Sequence, residues 1–219
     1  MPRRVTPHRV TPARARAQVR GRVGAFVVVA ALALAGCSSE APDTAPGAAS
    51  PGAAEGGVLA EHGLEGLDAR QIIDRLDAMP VAERPTDLVA SVRPNEVVVT
   101  DDQQHESSVP MTSDEFYVSV APYVDQTHEC YFHSLTTCLG ELQNASVGVT
   151  VTDDATGEVL IDEARQTFDN GFVGLWLPRG IDATISIEHD GRAGTSRVST
   201  GGDEDATCLT SLQLTSPLT

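Results

Sequence analysis

The stretch Ala183-Thr-Ile-Ser-Ile-Glu188, followed by Asp190-Gly191 and then Thr195-Ser-Arg-Val-Ser199, decides the fold class. Apolar and polar residues alternate in its first arm, which is the pattern of a strand with one buried face. The Asp-Gly pair is a strong signal for a tight hairpin turn, because both residues tolerate a positive φ. The stretch therefore predicts two antiparallel strands joined by a short turn.

The same pattern extends outward in both directions. Turn sequences occur at Asp154-Ala-Thr-Gly157 and Asp169-Asn-Gly171. The other predicted strands are 88–92, 97–100, 116–120, 147–152, 158–162, 172–177 and 208–214. Short strands at this spacing are typical of an antiparallel sandwich. We predict a mainly β protein, with an Ig-like antiparallel β-sandwich over residues 112–219 and Trp176 in its core.

A smaller α+β region over residues 58–111 is expected to precede the sandwich. The segment from Val58 to Pro80 has a helical pattern, and Asp68 and Gln71 have the spacing of a capping box. Pro80 is expected to end the helix. Strands 88–92 and 97–100 complete this region.

The first 57 residues read as targeting and tether sequence. Seven arginines precede a short apolar run that ends in Leu34-Ala35-Gly36-Cys37. This pattern predicts a signal peptide over residues 1–36 and resembles the bacterial lipobox, in which the cysteine carries the lipid. An ordinary signal peptide with a nearby cysteine is the alternative. Residues 37–57 are rich in Ala, Pro, Gly and Ser and are expected to be a disordered tether. We expect an exported protein anchored by Cys37 to the outer face of the cytoplasmic membrane.

The predicted mature chain is strongly acidic. All 31 acidic residues lie at or after Cys37 together with eight of the arginines, and the sequence has no lysine, which leaves a net charge of −23. Such a surface repels phosphate backbones, so nucleic acid is not an expected partner. It attracts cations. The alternative is that the acidity is only a compositional habit of the source organism.

Three further cysteines carry the chemistry. Cys130 and Cys138 lie close to His128 and His133, and Cys208 follows much later. An odd thiol count in an exported chain suggests a metal or redox site. Cys130 and Cys138 would lie about 26 Å apart in one strand and about 12 Å apart in one helix. The chain must therefore turn back between them if they act together. The alternative is a structural Cys130–Cys138 disulfide with Cys208 buried as a small apolar residue.

A resemblance to a known family favours the metal site. The chain resembles the CueP family of periplasmic copper-binding proteins, in its actinobacterial lipoprotein form. The segments that carry the likeness are 59–64, 88–94, 116–122, 127–138, 170–178 and 206–210. The resemblance implies a copper site made by Cys130, Cys138 and Cys208, with copper sequestration or delivery in the cell envelope. It also implies thiols able to reduce Cu(II) to Cu(I).

Soft thiolates suit Cu(I), whereas zinc is the less favoured metal. His128 and His133 are candidate entry ligands for Cu(II). The expected partners are copper ions, the membrane through the lipid anchor, a copper-receiving envelope protein and a second copy of the chain in a homodimer.

Two other classes of function are weighed against this one. A metal-free Ig-like binding or adhesive lipoprotein is compatible with the fold alone. A thiol-redox enzyme would normally carry a Cys-x-x-Cys motif, which this sequence lacks. We find no catalytic motif and do not expect an enzyme.

Overall fold

The computed structural model describes residues 55–216. The predicted signal peptide, the lipid attachment residue Cys37 and nearly all of the predicted tether lie outside this range. Within residues 55–216, no helix has both the length and the apolar character needed to cross a membrane.

Two short helices open the described chain. They are α1 (Glu55–Glu61) and α2 (Ala69–Asp77), and a single 3-10 turn follows at Val81–Glu83. Asp68 caps α2 by accepting a hydrogen bond from the Gln71 backbone, while the Gln71 side chain accepts from the Asp68 backbone. This is the predicted capping box. The apolar face of α2 is fully buried.

Residues 55–216 contain ten strands, which form three sheets. The strands are β1 (Leu88–Val92), β2 (Glu96–Asp101), β3 (Glu106–Pro110), β4 (Glu115–Val120), β5 (Ser146–Asp153), β6 (Val159–Gln166), β7 (Val173–Pro178), β8 (Asp182–His189), β9 (Arg192–Ser199) and β10 (Cys208–Leu209). The first sheet is the antiparallel meander β1-β2-β3. The sequence prediction missed β3, because Glu106-Ser-Ser-Val-Pro110 is too polar to show alternation.

The other two sheets form the predicted sandwich. The three-stranded sheet has the order β10-β4-β7 and the four-stranded sheet has the order β6-β5-β8-β9. The hairpin of β8 and β9 pairs as expected, with Asp182 opposite Ser199 and His189 opposite Arg192. Alternate residues of both sheets, such as Val118, Leu175, Val149 and Ile185, share one buried cluster. The mainly β sandwich is therefore confirmed.

The last predicted strand was wrong in length and direction. The prediction covered residues 208–214, but β10 contains only Cys208 and Leu209 and runs parallel to β4. Beyond it, Gln213 and Thr215 make isolated bridges. The apolar residues Leu212 and Leu214 are buried without a continuous ladder. Their alternation therefore reflected burial and not strand pairing.

Trp176 does not lie in the sandwich core as predicted. Leu175 and Leu177 face that core, whereas Trp176 is half-buried on the opposite face of β7. Its ring centroid lies 4.8 Å from that of Tyr117, and its indole N–H donates to Asp74 of α2 at 3.0 Å. Both faces of this sheet are covered, and for that reason β7 shows little polar alternation.

Candidate metal centre

Three separate chain segments meet where β4 ends. The long loop between β4 and β5 carries Cys130 and Cys138, and Cys208 begins β10 beside Ser119 of β4. Tyr131 accepts hydrogen bonds from the Thr207 and Cys208 backbones at 3.0 and 3.1 Å. These bonds hold the loop against β10.

The loop turns back between its two cysteines. The backbones of Val92 and His133 are joined at 2.8 Å, as are those of Leu135 and Ala90, so this segment pairs with the edge of β1. The Cys138 backbone then donates to Ser134, which closes a turn. The reversal inferred from the eight-residue spacing is therefore present.

The three sulfurs lie close together, with Cys130 in contact with both of the others and Cys138 within 4.8 Å of Cys208. Cys130 and Cys208 form a disulfide with their Cα atoms 5.7 Å apart, and Cys138 is a free, buried cysteine. The Cys138 Sγ lies 3.5 Å from that of Cys130. In this structure Cys208, and not Cys138 as in the alternative, is the partner of Cys130, and Cys208 is not isolated. Cys208 is the bonded partner, because the parallel pairing of β10 with β4 brings it to the loop.

All five residues named from the sequence come together in two overlapping groups. One group contains His128, Cys130 and Cys138, and the other contains His133, Cys138 and Cys208. Within each group the candidate ligand atoms lie within 4.8 Å of one another. Cys138 belongs to both groups. Thiolate and imidazole donors at this spacing suit copper or zinc.

The two histidines differ sharply in exposure. The side chain of His128 is exposed at the surface beside the cysteines, whereas that of His133 is fully buried. The His133 Nδ1 atom lies 3.8 Å from the Cys208 Sγ, and its ring packs 4.6 Å from that of Phe172. The sequence predicted both histidines as entry ligands for Cu(II). The exposed position of His128 fits that role, whereas the buried position of His133 does not.

A buried carboxylate stands behind His133. Asp77, the last residue of α2, accepts a hydrogen bond from the His133 Nε2 at 2.9 Å. Burial alone would raise the pKa of Asp77, but the charge and hydrogen bond of His133, with donors from Tyr117 and Asn170, lower it. Asp77 is therefore an ionised group inside the protein.

The pKa of His133 is raised to about 9. Burial opposes this shift, but the charge and hydrogen bond of Asp77 outweigh it, with a further contribution from Cys138. Burial likewise would raise the pKa of the Cys138 thiol, but the hydrogen bond and charge of His133 lower it. His133 and Cys138 therefore stabilise each other's charged forms, the imidazolium and the thiolate.

Comparison with known proteins identifies the family. The family model for the periplasmic copper-binding protein CueP matches residues 71–213. This chain belongs to the CueP family. It is similar to the crystal structure of S.CueP, with 37% sequence identity and a TM-score of 0.68, over 74% of this chain and 97% of that one. No curated protein sequence matches it.

Membership in the CueP family establishes a periplasmic copper-binding protein and supports export. The match begins within α2 and ends shortly after β10, so it contains all five candidate ligands. The cluster of sulfur and imidazole groups therefore lies within the segment that matches a copper-binding family.

Two residues of this CueP-family site escaped the sequence analysis. Arg84 is buried, and its Nη1 atom donates to the Cys138 carbonyl at 2.9 Å. Burial lowers the pKa of Arg84, although Asp77 and Cys138 oppose this. Asp77 could have been found, because it follows Ile73 by four positions and so extends the apolar face of α2. A carboxylate on that face needs buried partners.

Proposed function

We propose that this chain holds one Cu(I) ion between the thiolates of Cys130, Cys138 and Cys208, and so sequesters or delivers copper in the cell envelope. The observation that carries the proposal is the clustering of three sulfurs, two from one loop and one from a strand 70 residues further along the chain. Cu(I) is a soft ion that prefers thiolates, so three sulfurs favour it over zinc.

The redox state of the cysteines governs this binding. The Cys130–Cys208 disulfide must be reduced before three thiolates are available, which takes two electrons from an external thiol reductant and releases both sulfurs as thiolates. In the opposite direction, two thiols and two Cu(II) ions would give one disulfide, two Cu(I) ions and two protons. We include this stoichiometric reduction in the proposal, without catalytic turnover.

Access to the site supports exchange of copper with a partner protein. A cavity of about 600 Å³ opens beside the disulfide. It is lined by His128, Cys130, Tyr131 and Cys208, among others. His128 at this rim would be the first ligand for arriving Cu(II), and a copper-receiving envelope protein would approach from the same side.

We further propose that Cys37 carries a lipid that anchors the protein to the outer face of the cytoplasmic membrane. The lipobox-like sequence and the family's periplasmic location support this placement.

The experiment is a Cu(I) titration of the purified protein against a chromophoric Cu(I) chelator. The reduced protein should bind one Cu(I), and replacement of Cys130, Cys138 or Cys208 by Ser should weaken binding by more than about 100-fold, beyond the usual effect of residues behind a ligand. Disulfide-bonded protein should bind less tightly than reduced protein.

Ser211→Ala is the matched control, because Ser211 lines the same cavity without a sulfur atom. It should leave the affinity unchanged. An unaltered Cu(I) affinity in Cys208→Ser would refute the three-thiol site.

A further inference from the structure

Asp77 occupies a costly position for a carboxylate. It is fully buried, and it is the last residue of α2, where the backbone carbonyls create a negative potential. Burial of a charge is unfavourable unless hydrogen bonds and opposite charge compensate for it. Burying an apolar residue at this end of the helix would cost less free energy, so the presence of a carboxylate indicates a specific role.

The two oxygens of Asp77 have different partners. Oδ1 accepts from the His133 Nε2 at 2.9 Å and the Asn170 Nδ2 at 2.7 Å. Oδ2 accepts from the Tyr117 hydroxyl at 2.5 Å and the Ser119 hydroxyl at 3.1 Å. Four donors from three further segments thus fix the carboxylate, and only one of these donors belongs to a candidate ligand.

The contact with Asp77 also decides which side of the His133 ring faces the sulfurs. Because Nε2 points to the carboxylate, Nδ1 points to the cluster, 3.8 Å from the Cys208 Sγ. His133, Cys138 and Cys208 offer ligand atoms within 4.8 Å of one another. A histidine that binds a metal commonly donates its other N–H to a carboxylate, which sets its tautomer and orientation.

We propose that Asp77 is the positioning residue of the copper site, holding His133 by Nε2 so that Nδ1 binds the metal beside Cys138 and Cys208. This inference rests on the copper-binding function proposed above. Asp77 does not touch the metal and acts through His133. His133 is then a permanent part of the inner site, whereas His128 serves at the exposed rim.

The first test compares Cu(I) affinities in a double-mutant cycle of the reduced protein. Asp77→Asn should weaken Cu(I) binding by about 10- to 100-fold, the range usual for carboxylates behind a histidine ligand. In a His133→Gln background the same substitution should change the affinity by less than about two-fold, because its route to the metal is gone. An equal loss in both backgrounds, or no loss in either, would overturn the proposal.

Tyr117→Phe and Ser119→Ala are the matched controls. Each removes a donor to Oδ2 and leaves the bond from His133 to Oδ1 in place. Both should lower thermal stability but keep Cu(I) affinity within about two-fold of the original protein. If Tyr117→Phe weakens binding as much as Asp77→Asn does, the loss comes from a general disturbance of the buried network and not from the bond between Asp77 and His133, and the inference is wrong.

A second measurement uses the unaltered protein and so does not depend on whether the variants fold. In the ¹⁵N spectrum of the unaltered protein, Cu(I) loading should shift the His133 Nδ1 resonance while Nε2 keeps its proton. A shift at Nε2, or none at Nδ1, would contradict the inference. If the unaltered protein bound no Cu(I), the proposed function itself would fail. If it bound Cu(I) through its cysteines but ignored Asp77→Asn, only the positioning role would fail.

Discussion

At the scale of single residues, Cys138 is the thiol around which the site is arranged. It contacts the Cys130 sulfur, receives a hydrogen bond from the Ser134 backbone at 3.4 Å and lies beside His133. Its carbonyl accepts from Arg84. Of these groups, His133 and the Ser134 backbone lower the pKa of the Cys138 thiol, which favours the thiolate form that binds a cation.

The titration of Cys138 can be isolated in a variant with Cys37, Cys130 and Cys208 replaced by Ser. Burial raises the thiol pKa, but the hydrogen bond and charge of His133 lower it below the ordinary value. The ultraviolet absorbance of the thiolate should therefore appear at lower pH than in a free cysteine. His133→Gln should move this transition to higher pH.

His105→Gln is the control for that experiment, because His105 pairs with Asp101 in the turn between β2 and β3. It should leave the Cys138 titration where it is. A titration that does not respond to His133→Gln would show that the histidine does not stabilise the thiolate.

At the scale of elements, two turns hold each other beside the site. The Gly140 backbone donates to the Asn170 carbonyl at 2.6 Å, which joins the cysteine loop to the turn between β6 and β7. Gly171 in that turn has a φ of 80°, and a Cβ atom there would lie 2.5 Å from the Gly140 carbonyl oxygen. Only glycine fits such an approach with a positive φ.

Gly171→Ala should therefore destabilise the protein by more than about 3 kcal/mol, since it adds a collision to the left-handed strain of about 1–2 kcal/mol. It should also weaken Cu(I) binding, because Cys138 lies two residues before Gly140. Urea unfolding measures the first effect and chelator competition measures the second.

Gly180→Ala separates strain from collision. Gly180 has a φ of 79°, but an added Cβ would meet no atom of the described residues within 4 Å. This variant should lose about 1–2 kcal/mol and keep its Cu(I) affinity. Equal losses of stability in the two variants would show that the close contact between the two turns makes no contribution to stability.

At the scale of the whole molecule, the sheet β10-β4-β7 is covered on both faces. One face contributes Phe116, Val118 and Leu175 to the sandwich core, and the other contributes Tyr117 to the cluster with α2. Because β4 carries side chains into both layers, it connects Asp77 of the helix with Cys208 of the last strand. The site depends on this arrangement and not on any one motif.

The location of the molecule is a separate prediction at this scale. Substitution of Cys37 by Ala should release the protein from membrane fractions or leave an unprocessed precursor, because the lipid would have no attachment point. Cell fractionation followed by mass determination measures both outcomes. Unchanged membrane association of a correctly cleaved Cys37→Ala protein would exclude the anchor.

Local patterns in the sequence by themselves determined much of this protein. Alternation and Asp-Gly turns predicted the β-sandwich, Asp68 and Gln71 predicted the cap of α2, and the residue types predicted a soft-metal cluster. These features are readable because each depends on residues within a few positions of one another, where the backbone period dictates which side chains share a face.

Only the tertiary structure decided which cysteine pairs with which, and where His133 and Trp176 lie. The disulfide joins residues 78 positions apart, and the bond from Asp77 to His133 spans 56 positions. Trp176 faces α2 because both sides of its strand are covered. Such contacts follow from how β10, the cysteine loop and α2 pack around β4, and no local period in the sequence reports the packing of distant segments.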